Sequence, residues 1–299
     1  MRWELPDDEG CLAHGGDQEG AMSATFGMSA TGNLRRRDFL AVAGAGALSL
    51  LQRSVQAEEV QLAALVDHAP QAHAIIPALR AALTSLDAVR SLTDYEASFT
   101  KIELIGRQSL TTRMQVKVRH APFSVYVKYL DPHAGREAIY VTGQNNNQVV
   151  VHDTGLAALV GTLSLDPTGS TAMEDNRYPI TKMGMQILVE TVMGQWLAQV
   201  KQNATGITVN NFPNSKIGEQ SCQTIETILA QPIGTSSFQT TRLYIDTATK
   251  LPVRVQQYAF PTRRGQKPVL VEDYLYQPVR SNLSLADIDF DAKNPRYGY

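Results

Sequence analysis

Apolar and polar positions change period along the chain. Residues 58–92 are rich in Ala and Leu and read as a helical segment interrupted at Pro70 and Pro77, with the best helix over 78–92, because proline lacks the N–H that a helix interior uses. Beyond it the period becomes two. Met114, Val116 and Val118 alternate with Arg113, Gln115, Lys117 and Arg119, which predicts a half-buried strand with one apolar and one basic, solvent-facing side. Phe123, Val125, Val127 and Tyr129 continue the alternation. Asn145, Asn146 and Asn147 separate 138–141 from 149–151 and predict a hairpin turn, since Asn tolerates positive φ. A second hairpin joins Leu243 and Ile245 to Leu251, Val253 and Val255, and a third joins 253–260 to 269–276 across a turn flanked by Pro261 and Pro268.

Between the strand blocks, 181–202 places Met185, Leu188, Val189, Val192, Met193, Trp196, Leu197 and Val200 three to four residues apart, the spacing of an amphipathic helix. One helix before a meander, another across its middle and paired strands afterwards predict a β-dominated α+β fold. The expected form is a curved antiparallel sheet, an incomplete β-barrel, with helices covering its concave face over 93–299.

The chain start has a different grammar. Arg35, Arg36, Arg37, Asp38, Phe39 and Leu40 precede an apolar run over 41–51, followed by Val55, Gln56 and Ala57. Charge, an apolar stretch and then small residues predict a signal peptide cut after Ala57. Arg36 and Arg37 with Phe39 and Leu40 resemble the twin-arginine class, with the ordinary secretory route as the alternative and either Met1 or Met28 as the start. Residues 1–57 therefore read as an extension plus signal, the translocation machinery as a partner, and the periplasm as the destination. No lipobox cysteine follows a Leu-x-Gly pattern, so a product without a lipid anchor is expected.

Composition narrows the classes. Across 299 residues the formal charge is -2, which removes the overall basic field of a nucleic-acid binder. Cutting after Ala57 leaves 22 charges of each sign and removes Cys11, so Cys222 stands alone and is expected to be a buried thiol. With no run of about 18 apolar residues, the mature chain is expected to have no transmembrane helix. No cofactor fingerprint is found, because Gly44, Ala45, Gly46 and Ala47 lie inside the signal.

Several motifs carry a resemblance. Pro122-Phe123-Ser124-Val125-Tyr126, Gly135-Arg136-Glu137 with Tyr140, Val141 and Gly143, and Arg177-Tyr178-Pro179-Ile180-Thr181 resemble the bacterial domain-of-unknown-function family numbered 1571, over roughly 92–299. Leu243-Tyr244-Ile245-Asp246, Leu251-Pro252-Val253-Arg254, Glu272 with Tyr274 and Tyr276, and Asp287 with Asp289 and Phe290 are similar to the C-terminal pattern of the LolA/LolB-like lipoprotein-carrier superfamily. That likeness implies an incomplete barrel with a helical lid and an apolar cavity for acyl chains.

On this reading Met185, Met193 and Trp196 are candidate ligand contacts, since thioethers repack around varied apolar shapes, with plain core packing as the alternative. Arg136, Arg177 and Tyr178 are candidates to hold a head group, against structural pairing with acidic neighbours. Arg263, Arg264 and Lys267 on a hairpin tip are candidate contacts to anionic membrane surfaces. No catalytic motif appears: the histidines lack metal spacing, and Asp287, Asp289 and Asp291 lack the glycine and closing glutamate of a calcium loop and read as solvent carboxylates. The expected function is lipid or lipoprotein binding, the alternative a protein-interaction or envelope-assembly module. An enzyme needs convergent polar groups, at least one with a perturbed pKa, in a single pocket.

Overall fold

Eleven antiparallel strands of the described residues form one sheet. The computed structural model describes residues 61–155, 161–234, 238–263 and 265–299. The expected extension and signal, including Arg36, Arg37, Phe39, Leu40 and Ala57, lie outside these residues, as does Arg264.

Two meanders meet in the middle of the sheet. The first runs from β1 (Asp94–Ile105) through β2 (Gln108–Arg119), β3 (Ser124–Asp131), β4 (Glu137–Val141) and β5 (Val149–His152) to β6 (Leu163–Leu165) at one edge. The second starts at the other edge with β7 (Ile207–Ile217) and returns through β8 (Gln220–Leu229), β9 (Phe238–Asp246) and β10 (Pro252–Ala259) to β11 (Val269–Ser281). β1 pairs with both β2 and β11, whereas β6 and β7 do not pair, so the sheet is unclosed. The Asn turn adopts φ of 46°, 54° and 58° at its three residues between β4 and β5, and the β9–β10 and β10–β11 hairpins form as their patterns predict.

Helix α1 (Ile76–Arg90) buries Ile76, Leu79, Ala82, Leu86 and Val89. Pro77 does not interrupt it, contrary to the expectation. It sits in the first turn, where no intrahelical N–H bond is lost. After the short α2 (Ser170–Met173), α3 (Met185–Lys201) packs on α1 and on the inner face of β8 to β10 through Val189, Val192, Met193, Trp196 and Val200. Residues 181 and 182, expected in this helix, belong instead to a separate tight turn, Ile180–Lys182, before it. The start of α3 is tied to the sheet. Gly184 N donates to Tyr276 Oη at 3.1 Å and Met185 N donates to Tyr95 Oη at 2.8 Å, so two buried phenols take N–H groups that lack helical partners. Gly184 holds φ of 118°, and a Cβ there would meet the Tyr95 hydroxyl at 3.2 Å, which explains glycine at this position.

The opposite face of β2 to β4 is also covered. Phe290 packs with Tyr126, Ile139 and Val141, and the Tyr297 ring stacks on Tyr126 at 4.1 Å. Two expectations are corrected in part. On the basic side of β2, Lys117 and Arg119 are covered while Arg113 faces solvent, and of the Asp motif Asp289 is buried while Asp287 and Asp291 are the solvent carboxylates expected: Lys117 Nζ lies 2.6 Å from Asp289 Oδ1, and Arg119 Nη1 lies 2.7 Å from the exposed Asp287 Oδ1. β3 is consequently buried on both sides over Ser124–Val127, rather than alternating.

Candidate functional site

β1, β10 and β11 turn the same register positions toward the inner face. Phe99 stands opposite Tyr276, Lys101 opposite Tyr274 and Glu103 opposite Glu272; Val255 and Gln257 continue these rows on β10. Against them lie residues 176–183 and the first half of α3. Between the two is a cleft of about 210 Å³, walled by Phe99, Met183, Ile187, Leu188, Val255 and Tyr276, with Lys101, Glu103, Gln257, Glu272 and Tyr274 along one side. An adjoining cleft of about 270 Å³ lies over β3 to β6 and is lined by Val127, Ala138, Val149, Val151, Leu163 and Leu165. Asn176, Tyr178 and Met183 border both clefts.

The polar side is a connected network. Lys101 Nζ donates to Glu103 Oε2 at 2.8 Å, to the Asp175 carbonyl at 3.2 Å and to Asn176 Oδ1. Tyr274 Oη donates to Glu103 Oε1 at 2.6 Å. Arg177 Nε and Tyr178 Oη each donate to Glu272 Oε2 at 3.1 Å. Burial pushes the Glu272 carboxyl up to about 7, against the Arg177 charge and the Tyr178 hydroxyl bond, while Glu103 adds to the rise. Burial, then Glu272, pushes the Tyr178 phenol up to about 12. The cleft thus holds convergent polar groups and one perturbed carboxyl. Their mutual bonds fasten residues 175–178 to the sheet.

The sequence candidates separate. Met185, Met193 and Trp196 are fully buried in the apolar core and line neither cleft; Trp196 Nε1 donates to Thr227 Oγ1 at 3.0 Å. Tyr178 borders both clefts. Arg177 is spent on Glu272 and, through Nη1, on the Leu104 carbonyl at 3.2 Å. Arg136 borders the second cleft, with Nε and Nη2 3.0 Å and 2.6 Å from Asp153 Oδ2. Arg263 and Lys267 are exposed on the β10–β11 turn.

Sequence reasoning missed Lys101, Glu103 and Gln257 as site residues. It missed β1, β7 and β8 as strands. For β1 the signal was present, since Tyr95, Ala97 and Phe99 alternate with polar residues and the same row continues into Lys101 and Glu103. Glu272, Tyr274 and Tyr276 were marked only as a pattern. Their spacing of two puts all three on one side of a strand.

Residues 92–299 match the model of the family described as protein of unknown function, DUF1571, and the chain belongs to that family. No curated protein matches the sequence. Among solved structures, the chain is similar to the lipoprotein LppX of Mycobacterium tuberculosis at 16% identity, covering 72% of this chain and 99% of that one, with a TM-score of 0.40. It is similar to a LolA superfamily protein of Nitrosomonas europaea at 11% identity, covering 71% and 96%, with a TM-score of 0.29. A DUF1329 family protein of Desulfovibrio piger is similar at 10% identity, covering 71% and 96%, with a TM-score of 0.35.

Proposed function

We propose that this DUF1571 member is exported to the periplasm and there binds or carries the acyl part of a lipid or lipoprotein against the inner face of its sheet, without catalysing a reaction. The observation that carries this reading is the pair of adjoining clefts. Each alone is small, but together they amount to about 480 Å³, within the range of several hundred Å³ usual for small-molecule sites. A chain longer than one cleft reaches the other when Tyr178 and Met183 turn aside, and the Met183 thioether adapts readily to such a change.

Export rests on the sequence of residues 1–57: Arg36, Arg37, Phe39 and Leu40 support the twin-arginine machinery as the route, and Ala57 supports the cleavage site. We assign 58–92 as a helical segment and 93–299 as the binding domain. The exposed Arg263 and Lys267, with Arg264 between them, support contact with anionic head groups, about 1 kcal/mol for each basic side chain.

Native mass spectrometry of the mature protein purified from periplasm, followed by lipid extraction, tests the reading. Bound acyl species are expected in the native protein and lost in Ile187→Asn, which places an amide on the cleft wall. A ligand-free mass, together with slow hydrogen exchange throughout α3, overturns it. The dense packing around Trp196 then favours the second reading, a protein-interaction module with a filled interior.

A further inference from the structure

Gln257 is 1% exposed, yet one end of its amide has nothing to bond. Its Nε2 donates to Gln195 Oε1 on α3 and, at 3.3 Å, to Thr241 Oγ1 on β9. Its Oε1 is buried with no hydrogen-bond partner, while the residue lines the first cleft beside Glu272, its register partner on β11. A buried acceptor left unpaired is costly, and water or a ligand donor relieves that cost.

The charges around the cleft restrict what such a ligand brings. Glu103 and Glu272 both border it. Lys101 is committed to Glu103, Asp175 and Asn176, so among the described residues no free buried cation lines the cleft to face a ligand anion. Among the described residues the other lining cation is Lys182, which is exposed at the rim, where solvent screens it. An anionic head group at the Gln257 end therefore meets an acceptor and carboxyl groups, whereas an uncharged hydroxyl or amide N–H meets an acceptor that lacks a donor.

We infer that the first cleft selects apolar-chain ligands carrying an uncharged hydrogen-bond donor, an amide N–H or a hydroxyl, and that Gln257 Oε1 is the acceptor that reads it. This rests on the cleft being the apolar-ligand site proposed above. It adds a chemical class to that site and a residue that sets the selectivity. Ligands matched in chain length but lacking the donor enter the same apolar walls and leave Gln257 unpaired, which is the condition under which hydrogen-bonding sites discriminate most sharply.

The test is displacement of a fluorescent alkyl probe from the folded mature protein by dodecanamide, dodecanol, methyl dodecanoate and dodecanoate. Native protein is expected to bind dodecanamide and dodecanol about tenfold more tightly than methyl dodecanoate, the change in affinity that one well-placed hydrogen bond gives. In Gln257→Met, whose folding is checked by its melting curve, amide and ester are expected to bind alike. Equal binding of amide and ester by native protein overturns the inference while leaving the acyl-binding reading standing. So does tighter binding of dodecanoate, which assigns recognition to Lys182. A difference that persists in Gln257→Met overturns the role of Gln257. Failure of all four ligands to displace the probe, or of the probe to bind, overturns the acyl-binding reading itself.

Discussion

Arg177 Nε lies 3.1 Å from Glu272 Oε2, across 95 residues of sequence, and this contact joins the segment before α3 to the last strand of the sheet. The Glu272 side chain is 4% exposed and that of Arg177 29%. Removing the cation leaves a buried carboxylate without its charge partner, which is costly even where the intact pair adds little net stability. Arg177→Ala is expected to lower stability by about 2 kcal/mol, less than for a fully buried pair because Arg177 is partly solvated. Arg177→Ala combined with Glu272→Gln is expected to recover much of that loss. Urea titration of the two variants checks this, and an unchanged midpoint for Arg177→Ala returns the arginine to a ligand-holding role.

Glu272 also sets a pH dependence. Its carboxyl is raised from an ordinary 4.5 to about 7, so between those values the folded protein holds a proton that the unfolded chain has released. The stabilising contribution is full below about 4.5 and is lost as pH rises through about 7. Unfolding free energy is expected to fall by up to about 3 kcal/mol across that window, and Glu272→Gln is expected to flatten the slope. Asp289 shifts oppositely. Although burial raises its pKa, the Lys117 and Ala286 bonds hold it below the usual carboxylate value, so its contribution is lost only as pH falls through that lower range. Denaturant titrations from about pH 2 to about pH 8 separate the two effects, the Glu272 slope lying above about 4.5 and the Asp289 slope below the usual carboxylate value.

Core and cleft are separable by mutation. Trp196→Ala removes a fully buried indole and the donor to Thr227 Oγ1, with an expected loss of about 3–5 kcal/mol. Ile187 is half-buried and lines the cleft, so Ile187→Asn is expected to cost about 1 kcal/mol or less while weakening uptake of apolar probes. Thermal denaturation paired with probe fluorescence distinguishes the two. Equal losses of stability in both variants contradict this division.

Cys222 faces the core between β7 and β9. It is free and fully buried, and burial, with Asp246 adding to the rise, pushes its thiol up to about 11. The thiolate is the reactive form, so iodoacetamide is expected to leave the folded protein essentially unlabelled and to modify Cys222 fully in denaturant. Rapid labelling without denaturant contradicts this placement.

Periodicity alone determined much of this protein: a helix expected over 78–92 and found over 76–90, another expected over 181–202 and found over 185–201, three hairpins with the Asn turn as the first, and a β-dominated α+β fold with an antiparallel sheet. Those features follow from which side of a local segment is apolar, and that information lies within about ten residues. The same evidence says which face is buried but not what covers it. Lys117 and Arg119 on β2 and the carboxyls of Asp287 and Asp289 read as two unrelated solvated patches, and only the tertiary structure pairs them, burying Asp289 while Asp287 stays exposed. Met185, Met193 and Trp196 had the spacing of a ligand wall and of a core alike, and the packing of α3 on α1 and on the sheet placed them in the core. The cleft was beyond reach for a further reason: Lys101 and Glu103, Arg177 and Tyr178, and Gln257 and Glu272 come from three distant stretches, and their meeting depends on β1 pairing with β11 and on the path of residues 175–183 across the sheet. Long-range register of that kind has no signature in any local window of sequence.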